Sequence, residues 1–230
     1  MTAVIELRGV SKVYGDGRVV ALDDVDLTVR AGELVAITGP SGSGKSTMLH
    51  VIGTLDRPSS GTVHIDGYDV AALADRQLSA LRAARIGFVF QQFHLAGGVP
   101  VLDNVADGLL YAGMSRSQRR WRAVAALEQV GLAHRLDHRP HELSGGEQQR
   151  AAIARAVAGG PALLLADEPT GNLDSASGAA VIDVLRRLHA GGTTVVIITH
   201  DRDVATALPR RVEMRDGRIA LDSARTGAAA

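Results

Sequence analysis

Gly39-Pro40-Ser41-Gly42-Ser43-Gly44-Lys45-Ser46 has the spacing G-x-x-x-x-G-K-[ST], and it joins an apolar run, Leu34–Thr38, to a helical pattern that continues from Ser46 and Thr47 to Gly53. Those flanks are what a phosphate-cradling loop requires. Gly42 and Gly44 carry no Cβ, so the backbone can curl and aim several N–H groups at phosphate oxygens. The helix that follows adds partial positive charge at its N-terminus. Lys45 offers a mobile ammonium to the β- and γ-phosphates, and the Ser46 hydroxyl is a ligand for Mg²⁺. The loop alone implies binding of a nucleoside triphosphate.

Two further segments carry chemistry. Leu163-Leu164-Leu165-Ala166 ends in Asp167-Glu168, which delivers two adjacent carboxylates at the end of an apolar strand, where α/β sheets bind ligands. Asp167 suits a water-mediated Mg²⁺ contact. Glu168, aimed differently, can polarise an attacking water as general base. In Leu143-Ser144-Gly145-Gly146-Glu147-Gln148-Gln149-Arg150, Ser144 occupies a helix N-cap and the two glycines leave backbone N–H groups uncovered, which makes a second anion site. The helix itself is expected over Ala151–Ala158.

Positioning these groups takes an α/β architecture. Short apolar runs at Val4–Arg8, Val25–Val29, Leu34–Thr38, Thr62–Ile65, Ile86–Phe90, Ala162–Ala166, Thr194–Thr199 and Arg211–Met214 read as strands, and most of the later ones alternate with helical patterns. That alternation indicates a largely parallel sheet. The early runs are separated by turn residues (Gly15-Asp16-Gly17, Ala31-Gly32, Asp66-Gly67), so the N-terminal third adds antiparallel pairing. From about Leu102 to Ala158 the pattern is helical, and Arg116–Val130 is its clearest segment. This stretch, residues 92–158 at its widest, is expected to be a helical insert within a single domain covering 1–230. Trp121 is expected in the core, and Asp222–Ala230 is expected to fray. His134, His138 and His141 have metal-like spacing, but Pro140 breaks any helix that would align them, and the segment reads as a solvated linker.

Lys+Arg and Asp+Glu balance at 25 each, so no basic field gathers nucleic acid, which is not expected as a partner. Hydrophobic residues at 46% suffice for a full core, but aromatics at 3% leave Val, Leu, Ile and Ala to build it. The absence of cysteine excludes disulfides and thiolate metal sites. No apolar run approaches the ~20 residues needed to cross a bilayer. The expected location is cytoplasmic, peripheral on the inner face of the inner or plasma membrane through a docked partner.

Leu143–Arg150 resembles the signature motif of the ATP-binding cassette (ABC) family, and the order of the surrounding motifs resembles it from Val4 to about Ile219. The resemblance implies a P-loop ATPase fold of RecA/F1-like type, with an antiparallel β subdomain and an inserted α-helical subdomain. It implies ATP and Mg²⁺ as ligands and a head-to-tail homodimer, in which Ser144, Gly145, Gly146 and Glu147 of one subunit cover the γ-phosphate held by Gly39–Thr47 of the other. It further implies that Tyr14 stacks on adenine and that Gln91 contacts Mg²⁺ and reports to an integral membrane permease. Leu173-Asp174 matches the D-loop, and His200 matches the switch histidine that holds the γ-phosphate.

Leu165–Asp174, Gly53–Thr62 and Phe88–Leu95 resemble the branch of lipoprotein-release and macrolide-export cassettes. The expected function is therefore that of an ATP-hydrolysing motor for a separate permease of that type. The alternative is a regulatory, signalling ATPase of the cell-division-associated kind, which moves no substrate. Ala96-Gly97-Gly98-Val99-Pro100 departs from the branch, whose members usually continue with Leu-Pro and a polar turn. DNA-repair relatives carry a long coiled coil and translation-factor relatives two cassettes, neither of which is present here.

Overall fold

The computed structural model describes residues 2–15 and 18–226. Strands β1 (Ala3–Tyr14), β2 (Val19–Arg30), β4 (Ser60–Ile65) and β5 (Tyr68–Asp69) form an antiparallel sheet in the order β2-β1-β4-β5. Strand β3 (Leu34–Thr38) leaves that sheet for a second one, ordered β10-β9-β3-β8-β7-β6. Its other members are β6 (Ile86–Val89), β7 (Leu163–Asp167), β8 (Thr194–Ile198), β9 (Arg210–Arg215) and β10 (Arg218–Asp222). All its pairings are parallel except β9–β10. The expected antiparallel part and parallel core are both present, as separate sheets. Of the first turn, Asp16 and Gly17 lie outside the described residues.

The helices are α1 (Lys45–Ile52), α2 (Asp75–Arg85), α3 (Val101–Asp107), α4 (Arg116–Gln129), α5 (Gly145–Val157), α6 (Ser175–Ala190), α7 (Arg202–Thr206) and α8 (Ser223–Thr226). The central strands are buried on both faces, as covered parallel strands must be. One face of the six-stranded sheet (Val35, Ile37, Leu163, Leu165, Val196, Ile198) packs with α1 and the antiparallel sheet. The other (Leu34, Ala36, Leu164, Ala166, Val195, Ile197) packs with α3 to α6. Each fully buried Leu, Ile or Val contributes roughly 1.5–3 kcal/mol, and such residues make up most of both layers, with Met48, Met214 and Phe88 joining the first.

Three expectations are corrected. Trp121 is 70% exposed. The buried stripe of α4 is Ala123, Ala126, Leu127 and then Val130, an i, i+3, i+4, i+7 face from which Trp121 is rotated away. Helix α5 begins at Gly145 rather than Ala151, because Ser144 caps it: the Ser144 hydroxyl accepts from the Glu147 N–H, and the Glu147 carboxylate accepts from the Ser144 N–H. Asp222 is buried rather than frayed. It ends β10 and pairs with Arg210 at 2.7 Å, while Arg210 also reaches Glu33 at 2.5 Å. Ser223–Thr226 continue as α8, and residues 227–230 of the expected tail lie outside the described residues.

Candidate functional site

The loop between β3 and α1 curls as its glycines allow. Gly39, Gly42 and Gly44 have φ of 155°, 80° and 98°, and a Cβ on Gly39 would lie 2.3 Å from the Met214 carbonyl oxygen. No other residue type fits Gly39 without displacing β9. The loop is braced by the Gly217 N–H donating to the Ser43 carbonyl at 3.1 Å. Because the first intrahelical bond of α1 runs from Met48 to Gly44, the N–H groups of Lys45, Ser46 and Thr47 have no partner within the helix and suit an anion. Lys45 Nζ donates to the Gly39 and Pro40 carbonyls at 2.8 and 2.9 Å. The ammonium thus lies across the mouth of the loop.

An open cavity of about 670 Å³ runs along this loop. Ser41, Gly42, Gly44, Lys45, Ser46 and Thr47 line it, together with Gln91, Asp167, Glu168 and His200. Gly39, Pro40, Ser41 and His200 also border a second hollow of about 720 Å³ beside β9. The Ser43 side chain is buried beneath the loop. These residues fit a magnesium nucleotide: the glycine curl holds backbone N–H groups around one end, and a hydroxyl and a carboxylate share the same wall.

The two acids occupy different surroundings. Asp167 continues the ladder opposite Ile198. Burial, with the Glu168 charge beside it, raises its pKa, against smaller opposing contributions from His50 and Lys45. A cation would relieve that cost. Glu168 leaves the ladder with φ of 46°, a backbone region that costs a non-glycine residue of order 1–3 kcal/mol. Its N–H donates to the Ile198 carbonyl at 2.8 Å, and its own carbonyl accepts from Gly171. Its carboxylate is held from two sides: Oε1 by the His200 N–H at 3.0 Å and by His200 Nδ1 at 2.7 Å, and Oε2 by the Thr199 hydroxyl at 3.1 Å.

Tyr14 sits at the rim, paired across the sheet with Val19, and Val19, Val20 and Ala21 line the cavity beside it. The Tyr14 hydroxyl donates to Asp56 at 2.9 Å, and Lys12 Nζ covers one ring face at 4.9 Å from the centroid. Burial and then Asp56 raise its pKa. Gln91 Nε2 donates to Asn172 at 3.0 Å.

Ser144, Gly145, Gly146, Glu147 and Asp174 do not line this cavity. Glu147 is tied to Ser144 and to Arg135 at 3.0 Å, and Asp174 caps α6 through Ser177. Of the three spaced histidines, His134 and His141 are exposed and His138 lies 3.0 Å from Arg135. Sequence reasoning missed Thr199, Asn172 and Gln149. Gln149 is fully buried in α5 and donates to both the Phe90 and Pro169 carbonyls at 3.2 and 2.9 Å. Val19 and Val20 could have been found as an apolar pair directly after a glycine turn.

The sequence pattern of the ABC transporter family matches residues 22–171. The chain is 51% identical, over 96% of its length, to the macrolide export ATP-binding/permease protein MacB of Nitrosomonas europaea. It is also 51% identical, over 96%, to the pyoverdine export ATP-binding/permease protein PvdT of Pseudomonas aeruginosa. It spans about a third of the length of these curated relatives, 34% in each case. Among solved structures, an ATP-binding cassette captured as a dimer in a post-hydrolysis state with ADP and Pi is 43% identical, with a TM-score of 0.84 over 95% of this chain and 97% of that one. The chain belongs to the ABC transporter family and is one of its nucleotide-binding ATPase cassettes.

Proposed function

We propose that two copies of this chain hydrolyse magnesium ATP between the Gly39–Thr47 loop of one and Ser144–Glu147 of the other, and that the cycle drives an integral membrane permease of the export or release type. One observation carries the dimer: Ser144 and the glycine-rich start of α5, the expected second anion site, line no part of the cavity formed by the phosphate loop of the same chain. A second copy, turned head to tail, supplies what one copy separates. The solved relative captured as a dimer with ADP and Pi supports this reading. The names of the export relatives support the permease. No helix among the described residues is long and apolar enough to cross a membrane, so such a permease lies outside these residues.

Within that arrangement the roles follow from position. Loop N–H groups and Lys45 hold the β- and γ-phosphates, and Tyr14 offers adenine the ring face that Lys12 leaves open. Ser46, Gln91 and Asp167 are the residues that would hold Mg²⁺, which would neutralise phosphate charge and withdraw electrons from the γ-phosphoryl group. Glu168 accepts the proton of the attacking water. His200, whose side chain is exposed at the cavity wall, turns to the γ-phosphate. Asp174, at the N-cap of α6, faces the second subunit.

The test is Glu168→Gln, which keeps shape and removes basicity. Hydrolysis is expected to fall on the order of 10²–10⁴-fold, with ATP retained and a dimer seen by size-exclusion chromatography that dissociates when nucleotide is removed. Unchanged turnover would overturn the reading.

A further inference from the structure

We propose that Thr199 is a positioning residue for hydrolysis, the side-chain anchor that keeps Oε2 of the Glu168 carboxylate aimed once the His200 ring releases Oε1; this rests on the reading of Glu168 as general base. Thr199 is fully buried at the end of β8, with its backbone N–H donating to the Ile37 carbonyl at 3.1 Å. Its hydroxyl accepts from the Asp201 N–H at 3.0 Å and donates to Glu168 Oε2 at 3.1 Å. A threonine hydroxyl has one proton. With a lone pair committed to Asp201, that proton is left to donate, and Glu168 Oε2 is the acceptor at hydrogen-bond distance.

The two partners of the carboxylate differ in freedom. The His200 side chain is 74% exposed and can swing toward a phosphate in the same cavity. Thr199 is packed on all sides and cannot follow. When the His200 ring turns away, Oε1 loses its ring donor, keeps the His200 backbone N–H at 3.0 Å and gains a free lone pair for a water, while Oε2 remains tied to the Thr199 hydroxyl. The Glu168 backbone is itself held at φ of 46° by the Ile198 and Gly171 bonds, so the remaining freedom of the carboxylate lies in its side-chain torsions, which the Thr199 hydroxyl limits. A general base displaced by about 1 Å loses much of its effect.

The experiment compares steady-state ATP hydrolysis by the full chain carrying Thr199→Val, Thr199→Ser, Glu168→Gln, and Thr199→Val with Glu168→Gln together. Thr199→Val keeps the shape and removes the hydroxyl. Its kcat is expected to fall about tenfold, the usual effect of losing one hydrogen bond to a charged group, with KM for ATP within about twofold. Thr199→Ser should restore kcat to within about threefold of the parent, since the donor returns. Added to Glu168→Gln, Thr199→Val should slow hydrolysis no further, because the two act as one unit. An unchanged kcat in Thr199→Val beside a slow Glu168→Gln overturns the role of Thr199 and leaves the base intact. So does a double variant slower by the full tenfold, since the hydroxyl would then act elsewhere. Unchanged turnover in Glu168→Gln removes the base reading and this inference together. If Thr199→Val does not bind ATP as a folded protein, Thr199→Ala is read in the same way.

Discussion

Gln91 and Asn172, 81 residues apart in sequence, exchange amide hydrogen bonds: Gln91 Nε2 donates to Asn172 Oδ1 at 3.0 Å, and Asn172 Nδ2 donates to the Gln91 carbonyl at 3.0 Å. The residue that follows β6 and lines the nucleotide cavity is thereby clamped to the turn that leads from Glu168 to α6. Gly171 leaves room for this pair, as a Cβ there would lie 2.9 Å from Gln91 Nε2. Rearrangement at the Glu168 turn must therefore be felt at Gln91, and through it at the loop that continues to Phe93 and His94.

Asn172→Ala should release Gln91 on both its side-chain and backbone bonds. Because Asn172 is exposed and touches no part of the cavity, ATP affinity is expected to stay within about twofold, while kcat falls several-fold, on the order expected for one or two hydrogen bonds that orient a site. Equilibrium nucleotide binding beside steady-state hydrolysis separates the two effects. A variant that loses affinity and keeps kcat would mean that the pair serves binding alone.

Lys45→Ala should abolish measurable ATP binding at concentrations that saturate the parent, with a loss on the order of 10²-fold or more for removing a charge-assisted phosphate contact. The fold should survive. Among the described residues Lys45 Nζ donates to the Gly39 and Pro40 carbonyls, and Pro40 is exposed enough for water to replace the ammonium there. Fluorescent-nucleotide titration and a melting curve check the two halves of this expectation.

Asp167 offers a pH test. Its pKa is raised by burial and by Glu168, so the charged form is dearer in the folded chain than in the unfolded one. The resulting destabilisation is full at neutral pH, shrinks as pH falls through the raised folded value, and vanishes below the unfolded value of 3.8. Asp167→Asn is therefore expected to melt higher than the parent at pH 7 without nucleotide or magnesium, with the gap closing toward acid pH. With Mg²⁺ and ATP the order should reverse, since only the carboxylate can help hold the cation. A gap that persists unchanged at pH 3.5 would show that the gain is not electrostatic.

Arg210 and Asp222 give a stability prediction. Their side chains are 10% and 2% exposed, so Asp222→Ala strands a guanidinium in the interior, with Glu33 as its remaining carboxylate. Breaking a buried pair from one side costs about 3–5 kcal/mol, and the Glu33 contact argues for the lower end. Urea denaturation of the variant should show this loss with an unchanged slope.

What the sequence revealed and what it concealed divide along a physical line. The Gly39–Ser46 loop and the cap at Ser144 were legible because each is local: glycine backbone freedom and a Ser/Glu capping box need only neighbours in sequence. Asp167 and Glu168 were legible because an apolar strand ending in acids is a contiguous pattern. Thr199, Asn172 and Gln149 act on partners 31, 81 and 59 residues away, and a lone Thr, Asn or Gln carries no mark of that. Trp121 misled because bulk suggests burial, whereas small residues, Ala123 and Ala126, let α4 approach its neighbours closely. Asp222 misled because a polar residue near a chain's end looks solvated until its arginine is seen.

We propose the segment from His94 to Val101 as the surface that receives the permease, and its construction allows a clean test. Arg155 of α5 donates to the Phe93 and His94 carbonyls at 2.9 and 2.6 Å. The side-chain amide of Asn104 in α3, itself buried, accepts from the Ala96 N–H through Oδ1 and donates through Nδ2 to the carbonyls of Ala96, Val99 and Pro100. The loop is thus fixed to α5, whose first residues belong to the signature segment, and to α3, which packs against α5, so the expected route for a push on it is along α5 towards Ser144. Its tip, Gly97-Gly98, is open: a Cβ on either glycine meets nothing within 4 Å. Gly97→Asp and Gly98→Trp should therefore leave the fold and basal hydrolysis within about twofold of the parent, as surface substitutions do. Both should weaken co-purification with an integral membrane permease of the export or release type and abolish its effect on ATP turnover. The charge would put an unpaired carboxylate into an interface, and the indole would hold the surfaces apart. Arg155→Ala, by contrast, should keep binding and lose stimulation, because it cuts the tie between loop and helix without altering the tip. Full binding and stimulation in Gly97→Asp and Gly98→Trp would move the docking surface elsewhere, and with it the assignment to an export- or release-type permease.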